Sequence, residues 1–131
     1  MDIIIMREIY CELIPNELTE LQKKMKNEIV IIKFGAEWCN PCKKIKLQCE
    51  RNFEKLPKNV IIFDIDVDES LDLYATLKAK KMLKGLPSLL CYYADIPREK
   101  WYIPDDSISG SNENDIQAFF NRCAAKASSL Q

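Results

Sequence analysis

Glu28-Ile29-Val30-Ile31-Ile32-Lys33-Phe34-Gly35-Ala36-Glu37-Trp38-Cys39-Asn40-Pro41-Cys42-Lys43 is the stretch on which the fold turns. Its first half, Ile29 to Phe34, is nearly continuous β-branched hydrophobe, the pattern of a central strand buried on both faces. After it, from Lys43 to about Leu56, Ile45, Cys49 and Phe53 recur at helical spacing, and Pro57 ends the run. Pro41 fits the first turn of that helix, where its missing N–H would have no partner anyway. Cys39 therefore falls where a strand hands over to a helix N-terminus. Unpaired N–H groups and the helix dipole there favour a thiolate. A thiol of pKa ~8.5 falls to roughly 3.5–7.5 in such settings. Two thiols separated by two residues can close a small disulfide ring, so Cys39 and Cys42 are read as a thiol–disulfide site.

Outward from this stretch, strands and helices alternate. Ile9 to Ile14 reads as a first, edge-type strand, and Asn16 after Pro15 as the cap of a helix carrying Leu18, Leu21 and Met25. Val60 to Val67 is a second buried strand. A helix begins near Leu71 and reaches about Leu83. Gly85-Leu86-Pro87 breaks the pattern, Ser88 to Tyr93 is a short apolar strand, and Lys100 to Ile103 reads as the returning half of a hairpin. Pro104 to Ser107 reads as surface loop. Asn112 caps a last helix whose apolar face is Ile116, Phe119, Phe120 and Cys123, with fraying expected from Lys126. The order is β-α-β-α-β-α-β-β-α. With no repeat or linker, residues 1–131 read as a single domain.

Composition removes other classes. A net charge of −1 offers no electrostatic footprint for nucleic acid or an acidic membrane. No apolar run approaches the ~20 residues of a membrane span. The apolar start, Met1 to Arg7, is short and without a basic leader or cleavage site, which sets a cytoplasmic expectation. Six cysteines can be read as three disulfides, but chain length and the missing export signal favour Cys11, Cys49, Cys91 and Cys123 as buried free thiols. Histidine is absent, which removes Cys–His nucleophilic pairs and mixed zinc sites. A four-cysteine zinc site would need a second close pair. No metal and no cofactor are expected.

The chain resembles the thioredoxin family. The resemblance runs from the first strand to the last helix and is carried by Phe34 to Lys43, by Phe63-Asp64-Ile65-Asp66-Val67-Asp68, by Lys84-Gly85-Leu86-Pro87-Ser88, and by Gly110 ahead of the last helix. It implies an α/β thioredoxin fold: a central mixed five-stranded sheet flanked by four helices. It also implies a protein-disulfide reductase, with disulfide-containing proteins as substrates and a thioredoxin-reductase-type electron donor, working as a monomer. In this chemistry the more exposed Cys39 attacks a substrate disulfide, and Cys42 then attacks the mixed disulfide and releases reduced substrate. Trp38, Asn40 and Pro41 border the pair. Pro87, by the resemblance a cis proline, lies against it, Leu86 pairs with substrate backbone, and Gly110 completes the rim of the groove. The alternatives are a weakly active binding or adaptor module and a disulfide-exchange enzyme of isomerase type.

Departures from the family pattern sharpen the expectations. Relatives place a buried Asp six residues before the first Cys, where this chain has Lys33, and a Lys on the neighbouring strand, where it has Asp64. A buried Lys is costly unless paired. The two are expected to meet beneath the site with reversed positions, and Asp64, or Lys33 in its neutral form, to assist proton transfer at Cys42. A Lys33 that snorkels to the surface beside an unrelated Asp64 is the competing reading. Gly35 replaces an aromatic residue and is expected to loosen packing under the site. Leu47 replaces a helix-kinking proline, and Asn40 the Gly between the cysteines. Pro41 argues for the reducing end of a family range of roughly −270 to −120 mV. Ile96 to Glu99 and Pro104 to Ser107 read as insertions relative to a minimal member.

Overall fold

The computed structural model describes residues 7–131, so the apolar start Met1–Met6 lies outside the described residues. The elements are β1 (Ile9–Tyr10), α1 (Pro15–Lys24), β2 (Ile29–Gly35), α2 (Asn40–Lys55), β3 (Val60–Asp66), α3 (Asp72–Ala79), β4 (Ser88–Tyr93), β5 (Asp106–Ser109) and α4 (Glu113–Ser129). They form one sheet of order β1-β3-β2-β4-β5. β1, β3 and β2 run parallel, β4 runs antiparallel to β2, and β5 runs antiparallel to β4. This is the mixed five-stranded sheet and four-helix set expected.

β2 is central because both its faces are apolar and every residue in it is buried. Val30, Ile32 and Phe34 point to the side packed by Leu18 of α1 and by Leu73, Tyr74 and Leu77 of α3. Ile29 and Ile31 point to the side packed by α2 and α4 through Ile45, Cys49, Phe53, Ile116, Phe119 and Phe120. Strand alternation puts Lys33 and Gly35 on this second face, under α2.

Several boundaries differ from the sequence reading. The first strand is two residues long, because beyond Tyr10 the chain leaves β3 and turns toward α1. Cys11 in that exit is exposed, not buried. The cap of α1 is Ile14, not Asn16: Pro15 already takes the first helical position, and the Glu17 carboxylate accepts the Ile14 N–H at 3.0 Å. α3 stops at Ala79, where Lys81 adopts φ 64°. α4 does not fray from Lys126. It continues to Ser129, with Ala127 buried and the Lys126 ammonium 2.7 Å from Asp95.

The largest difference is the hairpin. The returning strand is Asp106–Ser109, and Lys100–Ile103 is a turn. A polar edge strand with only Ile108 packed inward lacks the apolar alternation that marks strands. Trp101 and Tyr102 mimic that alternation while packing on the core from a loop. The loop is fastened rather than loose. Arg98 ion-pairs with Asp105 and donates to the Ile103 carbonyl at 2.7 Å, and Gln22 donates to the Trp101 carbonyl at 2.9 Å.

Candidate active site

β2 ends at Gly35 and α2 begins at Asn40, so the intervening turn delivers Cys39 to the helix as its N-cap (φ −86°, ψ 104°). The turn is closed by the Cys39 N–H donating to the Ala36 carbonyl at 3.2 Å. Cys39 and Cys42 are joined by a disulfide, with Cα atoms 5.3 Å apart. The Cys42 N–H donates to Cys39 Sγ at 3.2 Å. A side-chain acceptor at the N-cap satisfies one of the helix's orphan donors. When the acceptor is a sulfur that can become a thiolate, the same bond stabilises its charge. Cys42 receives no such donor from its own helix turn, so the helix end favours charge on Cys39. The expected difference in exposure is absent in the disulfide form. Cys39 is 5% exposed and Cys42 6%, and both belong to the same core cluster. Position at the helix end, not exposure, separates the two cysteines.

Around the pair, Asn40 and Pro41 are exposed, and Trp38 is 66% exposed with its indole N–H donating to Asp68 Oδ2 at 2.8 Å. Asp68 in turn has its N–H held by Asp66 Oδ1 at 2.8 Å. In the sequence, Asp68 has a place in the run that carries the resemblance but no role at the site. It lies 30 positions from Trp38, so no local pattern signals the contact. On the other side, β4 starts beside the end of β2, with Ser88 opposite Phe34. Leu86 and Pro87, joined by a cis peptide bond, therefore sit at the same sheet end as Cys39. Gly110 donates its N–H to the Pro87 carbonyl at 2.9 Å, and its φ of +105° is a conformation that suits glycine.

Lys33 and Asp64 are register partners on β2 and β3, and they do meet: Lys33 Nζ is 3.2 Å from Asp64 Oδ1. The Lys33 side chain is 8% exposed and that of Asp64 38%, so the lysine is the buried partner. Snorkelling to bulk solvent is therefore not what Lys33 does. Gly35 leaves space beside them. A Cβ on residue 35 would lie 3.6 Å from Cys42 Sγ and 3.7 Å from Lys33 Nζ. The space is part of a cleft of about 740 Å³ whose wall includes Lys33, Gly35, Cys42, Lys43, Lys46 and Asp64. The expected loosening under the site is thus a cleft that reaches the Cys42 sulfur. Leu47 is 56% exposed on an α2 that runs unbroken from Asn40 to Lys55.

The remaining thiols stand apart. Cys49 lies on the buried face of α2, and that burial pushes its pKa up to about 12. Burial likewise pushes the Cys91 thiol well up, and Cys123 lies against it. Among the described residues no cluster of Cys, Asp or Glu could hold a metal ion, and no helix is long and apolar enough to cross a membrane.

Comparison with known proteins returns the same fold and motif. The thioredoxin family model matches residues 12–121. Thioredoxin 3 of Plasmodium falciparum is 32% identical over 123 residues, covering 92% of this chain and 63% of that protein. The chain thus spans less than two thirds of that relative's length. A thioredoxin of Ophiophagus hannah is 35% identical over 72 residues, covering 53% of this chain and 68% of its own. Among solved structures, a Plasmodium falciparum thioredoxin superposes with a TM-score of 0.62 at 28% identity, covering 92% of this chain and 93% of that one. A Malassezia sympodialis thioredoxin reaches a TM-score of 0.66 at 18% identity over 94% of this chain and 97% of its own, a likeness of fold.

Proposed function

The chain belongs to the thioredoxin family, and on that footing we propose that it is a thiol–disulfide oxidoreductase that reduces disulfides in other proteins through Cys39 and Cys42. The observation that carries the reading is the Cys42 N–H held on Cys39 Sγ at the start of α2. In the reduced protein this donor and the helix end lower the cost of a Cys39 thiolate. The thiolate attacks a substrate sulfur, forming a Cys39–substrate bond and expelling the other substrate sulfur. Cys42, as thiolate, then attacks Cys39 Sγ. The Cys39–substrate bond breaks, the second substrate sulfur leaves, and the Cys39–Cys42 bond closes with two electrons transferred.

Trp38, Asn40, Pro41, Leu86, Pro87 and Gly110 form the groove for the substrate segment in this reading. Support comes from the exposure of Trp38, Asn40 and Pro41 beside the dithiol, and from Gly110 tying the Pro87 carbonyl to the rim. Lys33 and Asp64 assist ionisation of Cys42. The supporting observation is the Lys33 ammonium held next to the space that the Cys42 sulfur faces. A cation there favours the Cys42 thiolate that the second step requires. A reductase of the thioredoxin-reductase kind recharges the pair, giving the protein a place in electron transport and redox homeostasis as a monomer in the cytoplasm. The free thiols Cys49, Cys91 and Cys123 suit a reducing compartment.

The test is reduction of insulin by stoichiometric, pre-reduced protein, together with a Cys42→Ser variant incubated with the same substrate. We expect insulin precipitation with the wild type and a stable Cys39–insulin adduct with the variant. No insulin reduction and no adduct would overturn the reading and leave a binding module.

A further inference from the structure

We propose that the cleft beside Gly35 is a binding site for a zwitterionic, peptide-like, low-molecular-weight thiol, which enters next to Cys42 and reduces the Cys39–Cys42 disulfide directly. The inference rests on the oxidoreductase reading and adds to it a second reductant with its own entrance. Leu86, Pro87 and Gly110 take no part in lining the cleft; of the residues proposed for the protein-substrate groove it shares Trp38 alone. Its volume of about 740 Å³ falls within the range of small-ligand pockets, roughly 300–1,000 Å³.

Two features select the occupant. The first is that Cys42, not Cys39, is the sulfur lining the cleft. Gly35 is what leaves it reachable, since even a Cβ there would touch Cys42 Sγ at 3.6 Å. The second is that the wall carries charges of both signs. Lys43 and Lys46 are exposed on α2, one turn apart, and neither ion-pairs with a described carboxylate. Glu37, Asp66 and Asp68 contribute to the same wall from the end of β3 and the loops, not from α2. A thiol that carries both carboxylate and ammonium groups finds partners of both signs on this wall; a neutral thiol gains nothing from it. Glutathione is of that kind, with a glycine carboxylate at one end and an ammonium beside a second carboxylate at the γ-glutamyl end.

The chemistry balances without further groups. A bound thiolate attacks Cys42 Sγ, forming a ligand–Cys42 disulfide and breaking the Cys39–Cys42 bond. Cys39 departs as a thiolate, the leaving group that the helix end and the Cys42 N–H favour. A second thiolate attacks the ligand sulfur of the mixed disulfide, and Cys42 departs as a thiolate beside the Lys33 ammonium. Two thiols become one small disulfide, and their two electrons reside in the Cys39–Cys42 dithiol. Return attack by Cys39 reverses the first step, so flux rises with thiol concentration.

The experiment follows reduction of the oxidised full chain by glutathione, with glutathione reductase and NADPH removing the disulfide product. Acid quenching, alkylation and peptide mapping locate the adduct, and β-mercaptoethanol serves as the neutral reference thiol. The expected adduct is on Cys42. In Lys43→Gln/Lys46→Gln the ratio of glutathione to β-mercaptoethanol rates falls fivefold or more, and Gly35→Val slows glutathione tenfold or more. An adduct on Cys39 alone, or an unchanged rate ratio in the double variant together with an unchanged glutathione rate in Gly35→Val, overturns the proposal. Insulin reduction by pre-reduced protein is read separately and uses no small thiol. Its success beside a failed glutathione arm removes this inference and leaves the oxidoreductase reading standing.

Discussion

Asp64→Asn and Lys33→Met remove the two halves of one ion pair, yet they should cost the protein very different amounts. The pair is asymmetric: the Lys33 side chain is 8% exposed and the Asp64 side chain 38%. Removing Asp64 leaves a buried ammonium without its counter-charge 3.2 Å away. Breaking a fully buried pair in this way costs about 3–5 kcal/mol. An exposed pair is worth about 0–1 kcal/mol. With one partner more than a third exposed and the cleft admitting water to Lys33, about 2 kcal/mol is expected for Asp64→Asn. Removing Lys33 instead leaves a carboxylate that water can solvate and puts an apolar side chain where a cation was. Lys33→Met should therefore lie within about 0.5 kcal/mol of the wild type or stabilise it. The double variant should resemble Lys33→Met, giving a coupling near the whole Asp64→Asn loss. Urea unfolding of the oxidised proteins measures this. At a slope of roughly 1–3 kcal/mol per molar, Asp64→Asn should lower the midpoint by about 1 M. Equal losses in the two single variants, or additive losses in the double, would refute the view that Lys33 is the buried and dependent partner.

Cys49 should resist alkylation at pH 8 in the folded, reduced protein while Cys39 reacts, because burial pushes the Cys49 thiol up to about 12; labelling of both at one rate would refute this. The same shift makes stability pH-dependent. The folded thiol keeps its proton where the unfolded one loses it, so stability is full below the ordinary value of 9.0 and is lost from there toward about 12, as chemical unfolding at pH 8 and 10.5 should record. Phe53→Ala removes a fully buried ring packed edge-on to Phe120 at 5.7 Å, a loss of about 3–5 kcal/mol that thermal unfolding should register as a Tm drop of roughly 10–20 °C. Gly110→Ala meets no atom within 4 Å, but its φ of +105° strains any side chain by about 1–3 kcal/mol. Because the Gly110 N–H holds the Pro87 carbonyl, KM for protein disulfides should rise in that variant more than kcat falls.

What the chain discloses before folding depends on where each signal lives. β2, β3 and β4 were legible because a strand buried on both faces writes its burial into consecutive residues. The cap at Asn112 was legible for the same local reason, its side chain accepting the Asp115 N–H at 3.0 Å. β5 was not, since an edge strand with one inward apolar residue carries no period to read, and Trp101 with Tyr102 supplied a false one. The dithiol was legible from six adjacent residues. The Trp38–Asp68 bond, the exposure of Cys11 and the equal covering of Cys39 and Cys42 arise only when distant segments meet.

Lys33 and Gly35 read in the sequence as two unrelated departures from the family, and the structure makes them one. They stand on the same face of β2, and the ammonium lies 3.7 Å from the point where a side chain on residue 35 would begin. An aromatic ring there would press on Lys33 and strip the water that the cleft supplies, raising the cost of a buried cation. Exchange of charge between β2 and β3 leaves the pair neutral, because Lys33 and Asp64 remain register partners. It does not leave the field at Cys42 unchanged. On the proposed reading the charge beside Cys42 is positive where the family pattern has an acid, which would favour a Cys42 thiolate electrostatically rather than through a carboxylate base. A glycine at residue 35 is what makes that reversal affordable, and the opening it leaves is the same opening through which a small thiol would reach Cys42.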